Sequence, residues 1–300
     1  MIIDANGIEE VAKDVLRWPE TRKWRAADKD RRFKALFGAS SAVVATLWNM
    51  LFEREVQGEP KHLLWTLVHL KVYGSEEVNY AIVGWPSVKT YSKWVWYYVE
   101  QIAGLKDNVI NIENRFDGLD GVATSNAFIS VDGTDCPVFE PSPFSTKMFS
   151  KKLNGPGVKY EVGLCIKTGM IVWVNGRHIA SKHDNTIIKE ELLQLLFPDE
   201  AIECDRGYGG DDRLKTPTVA SDSKERKMKS NVRAQQEAVN ARLKVFNVLT
   251  THFRHMKPDR AGMMEKHGWC FHAIAVITQL KFMGGERVFD ESPEFDVSYL

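Results

Sequence analysis

Asp132 closes the apolar run AFISVD, Asp205 follows AIEC, and Glu237 lies within VRAQQEAVNARLKVF. Carboxylates hold hard divalent cations through oxygen. Cleaving a phosphodiester requires charge to be neutralised on both the attacking and the leaving oxygen. Two Mg²⁺ ions about 3.5–4 Å apart do this, with carboxylates bridging them. Three such acids cannot converge without a cation at little expense. Two unit charges at ~4 Å repel by about 4 kcal/mol at an effective dielectric near 20. If Asp132, Asp205 and Glu237 meet, they predict a divalent-cation site, such as one for two Mg²⁺ ions, aimed at phosphate.

The surroundings of Glu237 fit that reading. At 100° per residue, Arg233, Asn240 and Lys244 fall within about 60° of it, and Val232, Val239, Leu243 and Phe246 lie opposite. The helix therefore has a cationic, polar stripe and an apolar back. A solvated face with incidental ion pairs has the same pattern. Segment 222–260 adds ten Lys/Arg against four Asp/Glu, a patch suited to phosphates. Its KERKMK run also reads as a nuclear address. Other acids compete for the metal: Asp135, Asp184, Asp211 and Asp212. Asp132 is preferred because it directly ends the apolar run, whereas Asp135 lies beyond the turn signal Gly133.

The chain has 300 residues, 44% of them hydrophobic, with 40 basic and 40 acidic side chains. Bulk charge thus favours no partner, and only local charge is informative. The four cysteines (Cys136, Cys165, Cys204, Cys270) form no CxxC pair, which argues against a disulfide framework and suits a reducing compartment. No apolar signal core and no long apolar span is visible, so an intracellular protein without a membrane anchor is expected. No phosphate-binding loop and no nucleophile elbow is present.

The elements that must position the acids follow from periodicity. Residues 1–35 are polar and basic. Between 36 and 104 the pattern is helical: SSAVVATLWNMLF, KHLLWTLVHLKVY after Pro60, SEEVNYAIVG capped by Ser75, and a longer helix from Ser87. Residues 105–126 read as a linker. Then come the strand AFISVD, a hairpin of VKYEVGLCI and MIVWVNG around KTG, the helix NTIIKEELLQLLF and the strand AIECD. A polar loop over 206–229, a helix over 230–250 and a last helix stopped by Gly284 and Gly285 complete a 127–290 domain, with a tail at 291–300. This order is mixed α/β.

The segments VDGTDCPVFEP, KYEVGLCIKTGMIVWVNG, KHDNT, ECDRGYGG, QEAVNARLKVF and HGWCFHAIAVITQLKFMGG together resemble the DDE-type transposases of the PIF/Harbinger group and their endonuclease-like relatives. The resemblance runs from about 127 to 285, and more loosely over the helical region. It implies an RNase H-like core, a mixed sheet with flanking helices, preceded by an all-helical, helix-turn-helix-like region. It implies Asp132, Asp205 and Glu237 as catalytic, metal-holding residues, and Mg²⁺- or Mn²⁺-dependent cleavage of double-stranded DNA at transposon ends followed by strand transfer into target DNA. A homodimer, an accessory DNA-binding protein and a nuclear location are further implications. The chain departs from the pattern at Asp135, at Gln236 (both often His in relatives) and at Arg177 (often Pro).

In the helical half, Gly84-Trp85-Pro86 would be the turn of a helix-turn-helix, with Lys89, Thr90 and Lys93 facing DNA beside Arg233, Asn240 and Lys244. Equally, Trp94, Trp96 and Tyr97 would be the core of a plain bundle. His267, Cys270 and His272, with His252 and His255 upstream, raise zinc, but they do not share one helix face. Two rival functions stand: a DNA-binding protein that has lost catalysis, and an RNase H-like nuclease acting on RNA or hybrids.

Overall fold

The computed structural model describes residues 1–18, 25–118, 126–140, 143, 145–216, 223–255 and 260–286. The tail set apart at 291–300 lies outside them. The chain divides into two compact units: Met1–Val109 with Arg242–His255 and Glu265–Glu286, and Ile110–Ala241 with Met256–Met264 and Arg287–Leu300.

The first unit is helical: α1 (Ala5–Leu16), α2 (Ala26–Phe37), α3 (Ser41–Glu53), α4 (Pro60–Val72), α5 (Glu76–Ile82), α6 (Val88–Ala103) and the short α7 (Lys106–Val109). The polar residues 1–35 are thus largely helical. Their apolar positions, Ile8, Ala12, Val15 and Phe33, are buried, so a narrow stripe sufficed to fix two helices in a polar stretch. Ser75 and Ser87 cap where the sequence placed them, their Oγ accepting from Val78 and Thr90 N–H, and Ser40 caps α3 by accepting from Val43 N–H. Gly38 ends α2 at φ 78°, and a Cβ there would lie 2.4 Å from the buried Phe246 ring. Residues 265–283 of α10 (Arg260–Met283) belong to this unit, although the sequence suggested a single 127–290 domain. Among the described residues no single helix is long and apolar enough to cross a membrane; α2 and α3 reach that length only across a 50° bend.

The second unit holds the sheet: β1 (Ala127–Pro137), β2 (Phe149–Ser150), β3 (Gly155–Cys165), β4 (Ile171–Ile179), β5 (Ala201–Cys204) and β6 (Leu214–Lys215). The order is β2-β3-β1-β5-β6, with β4 also paired to β3. β3 runs antiparallel to β1 and β4, while β5 and β6 run parallel to β1 and each other. α8 (Asp184–Glu190) bridges β4 and β5, and α9 (Ser223–Leu243) follows β6. Three antiparallel strands continued by two parallel ones, with helices alongside, is the RNase H-like core expected.

Three sequence boundaries move. β1 does not end at Asp132 but continues to Pro137, because its antiparallel partner β3 runs on to Gly157. α9 begins at Ser223, inside the supposed loop, and stops at Leu243 rather than 250. The linker contains a 3₁₀ turn at Ile112–Phe116 whose Arg115 is buried and pairs with Glu200 at 2.6 Å.

Two predictions come from buried titratable groups. Burial drives His69 and His267 down to a pKa of about 3, so both are neutral when folded. The unfolded chain protonates them near 6.5. Stability is therefore full above that pH and falls as pH drops, by about 1.4 kcal/mol per pH unit for each histidine. Thermal melts at pH 7 and pH 5 should show a clear fall, reduced in His267→Leu; equal midpoints would refute it. Glu200→Ala removes the buried partner of the Arg115 guanidinium, leaving it the exposed Glu113 and the Ile112 carbonyl, and should cost about 3 kcal/mol by denaturant unfolding.

Candidate active site

Parallel pairing of β1 with β5 sets Val131 opposite Cys204, so the next residues, Asp132 and Asp205, emerge from neighbouring strands at the same level. Period two puts Ser130 and Asp132 on one face, and Glu203 and Asp205 likewise. That face is covered by α9. Gln236 fixes the helix to it. Its Oε1 accepts from Ser130 Oγ at 3.1 Å, and its Nε2 donates to Val162 O at 2.6 Å. One turn on, Asn240 Nδ2 donates to Asp132 Oδ2 at 2.8 Å. Glu237, beside Gln236, reaches the same opening.

The result is a cavity of about 410 Å³ whose lining includes Asp132, Asp205, Glu237, Glu203, Lys229 and Arg233. All three acids expected from the sequence border it. They do not form a finished cage: among the described residues no three His, Cys, Asp or Glu side chains are spaced to hold a metal ion. Glu237 is 66% exposed and turned to Arg233 Nε at 3.1 Å. Asp205 Oδ1 accepts from Gly207 N at 2.7 Å. Asp132 is pushed above the usual carboxylate range, first by burial and then by the charges of Asp205 and Asp184, against the pull of Lys152 and of the Gly133 N–H. Such repulsion is what a bound cation relieves. The all-oxygen donor set suits Mg²⁺ or Mn²⁺, and turning Glu237 would break only an exposed ion pair, worth about 0–1 kcal/mol.

The competing acids separate. Asp135, three residues from Asp132, faces the other side of β1, is buried and accepts from Ser150 Oγ. Asp184, at the start of α8, pairs with Lys159 Nζ at 2.8 Å. Asp211 accepts from Arg213 N at 3.0 Å in the turn before β6. Arg233 and Asn240 line or support the cavity, but Lys244 lies past the end of α9, so the helical stripe does not extend to it. In the helical unit Lys89 and Lys93 are exposed on α6, whereas the Thr90 hydroxyl is engaged by Ser87 Oγ at 2.7 Å. Trp94 stacks on His62, with centroids 4.2 Å apart. His267 and Cys270 are fully buried, His267 edge-on to Phe253, and no zinc set forms among the described residues.

Sequence reasoning missed Glu203 and Arg206 at the cavity, and had Lys229 only as part of the basic 222–260 patch. Glu203 was readable as the residue two before Asp205 on the same strand face. The others required knowing how α9 crosses the sheet.

Residues 131–279 match the DDE superfamily endonuclease family. The chain carries a DDE superfamily endonuclease domain. No curated protein and no solved structure matches the chain. The DDE domain's match begins at Val131, one residue before the first acid, and ends at Gln279 inside α10. It therefore takes in β1 from Val131 onward, β5 and α9, the three elements that bring acids to the cavity.

The bridging amide of Gln236 is testable. In Gln236→Leu the Ser130 hydroxyl and the Val162 carbonyl lose their partner, at a cost of about 1–3 kcal/mol. Urea unfolding of this variant beside Glu237→Gln, expected to be near neutral at its exposed position, checks that the anchor and not the acid holds α9.

Proposed function

We propose that this protein is a metal-dependent DNA endonuclease and strand-transfer enzyme of the DDE transposase type, of the PIF/Harbinger group. The observation that carries the reading is the emergence of Asp132 and Asp205 from adjacent parallel strands into one cavity with Glu237. Asp132 and Asp205 would hold two Mg²⁺ or Mn²⁺ ions between them, and Glu237 would complete the set after leaving Arg233. When bound, the ions lower the pKa of the attacking water or 3′-hydroxyl and stabilise the leaving oxygen.

The remaining roles fall to the chain's own groups. Asn240 holds Asp132 Oδ2 and so orients that carboxylate. Arg206, Lys229 and Arg233 place positive charge beside the acids, where the scissile phosphate and its neighbours would lie. Arg233, released from Glu237 when the acid turns inward, becomes available to phosphate at the same moment. Lys89, Lys93 and Lys244 are candidates for DNA backbone contacts; Thr90, whose hydroxyl accepts from Ser87 and keeps its own proton to donate, is a further candidate. The transposon ends and target duplex as substrates, a homodimer, an accessory DNA-binding partner and a nuclear location belong to this proposal through the family resemblance.

A second reading is favoured by the unfinished cage: a DNA-binding protein without catalysis. The two readings differ in metal response. Under the first, Mg²⁺ or Mn²⁺ raises the melting temperature and supports nicking of labelled duplex DNA. Asp132→Asn and Asp205→Asn each abolish cleavage with DNA affinity unchanged. Cleavage retained in both variants would refute the assignment. Under either reading affinity should fall steeply with salt, by about 10³–10⁵ between 50 and 200 mM for 6–10 neutralised phosphates.

A further inference from the structure

Beneath the acids, on the opposite face of the sheet, lies a buried polar group that the proposed reaction does not use. Glu161 is fully buried in the middle of β3, opposite Gly133 on β1 and Asn175 on β4. The nearby cation, Lys159, pairs with Asp184 instead. Tyr208, itself buried, donates its hydroxyl to Glu161 Oε1 at 3.2 Å.

Tyr208 belongs to DRGYGG, the loop that begins at Asp205. It is the only buried residue of that loop, and three of its neighbours are glycines. Apart from the phenol, the loop is held by two polar ties to α8. Gly209 N donates to Asn185 Oδ1 at 2.6 Å, and Lys189 Nζ donates to Gly210 O at 2.9 Å. Within the loop, Gly207 N directs Asp205 Oδ1 at 2.7 Å. The carboxylate's direction is therefore set by a glycine-rich loop whose one side-chain anchor ends on Glu161. Gly133 makes room for this contact. A Cβ there would stand 3.4 Å from the Tyr208 hydroxyl and 3.2 Å from Asp184 Oδ1.

We propose that Glu161 and Tyr208, with Asn185, form a latch on the sheet face opposite the acids that fixes the 205–210 loop and thereby aims the Asp205 carboxylate. They are positioning residues. The consequence for cation binding rests on the metal-dependent reading above, but the latch itself does not.

Leu at 161 fills the space without accepting a hydrogen bond, Gln keeps the acceptor, and Phe at 208 keeps the ring but not the hydroxyl. Amide hydrogen exchange of Gly207 and Gly209, followed by NMR in metal-free protein, reads the latch alone. It should accelerate about tenfold or more in Glu161→Leu and Tyr208→Phe, stay near wild type in Glu161→Gln, and be no faster in the double variant Glu161→Leu/Tyr208→Phe than in either single one. Unchanged exchange in the single variants, or additive effects in the double one, overturns the proposal. Titration with Mn²⁺ followed by electron paramagnetic resonance then tests the consequence. Both disrupting variants should bind Mn²⁺ about 10–100-fold more weakly, and Gln should restore binding. Wild-type protein that binds no Mn²⁺ would sink the metal-dependent reading, and the exchange data would still decide the latch.

Discussion

The site depends on one structural constraint: two carboxylates leave adjacent parallel strands side by side. Because β1 and β5 are paired up to Val131 and Cys204, neither Asp132 nor Asp205 can retreat without unzipping the centre of the sheet. Asp132 is largely buried, so its charge is opposed by lost hydration as well as by its neighbours. Much of the local architecture manages that charge. Lys152, which donates to Gly133 O at 3.0 Å, draws the Asp132 pKa back down. Asn240 donates to one carboxylate oxygen, and the Gly207 amide donates to Asp205. Hydrogen bonds of this kind hold direction but leave net charge in place, and a divalent cation is the group that removes it.

The third acid is held differently. α9 is tied to the sheet by Gln236, whose amide satisfies two buried groups from different strands, and this tie fixes the helix's height and rotation. Glu237 is then delivered to the cavity edge on a flexible side chain. Its partner Arg233, 72% exposed, competes for it only weakly, since exposed pairs gain little in water. A carboxylate facing two divalent charges gains far more. Under the proposed function the arrangement would couple two events: the acid would swing inward and an arginine would be freed beside the place where phosphate would approach.

How legible was this in the sequence? Helix periods, serine caps and the hairpin around KTG are local, and they were readable because each is decided within a few residues. The acid pair was readable because apolar runs ended on it. What failed had a common cause: partners remote in sequence. β1 continues through polar Thr134 and Asp135 because Ser150 and β3 supply their burial. The supposed linker is pinned by Arg115 to Glu200, 85 residues away. Gln236 finds its role only against Ser130 and Val162. Glu161 lies unremarked within the hairpin run VKYEVGLCI, and only the fold turns it toward Tyr208.

The zero net charge also has a local meaning. Positive side chains at the cavity, Arg206, Lys229 and Arg233, alternate with Asp132, Glu203, Asp205 and Glu237 rather than forming a separate patch. A purely basic cavity would bind a DNA backbone but leave no ligand for a cation. A purely acidic one would bind cations and repel phosphate until they arrived. Interleaving the two lets acids and cations of the protein neutralise each other, and under the proposed function each sign would find a stronger partner in metal or phosphate. The exposed Arg233–Glu237 pair shows the first half of that arrangement, and its low energy would make such an exchange reversible.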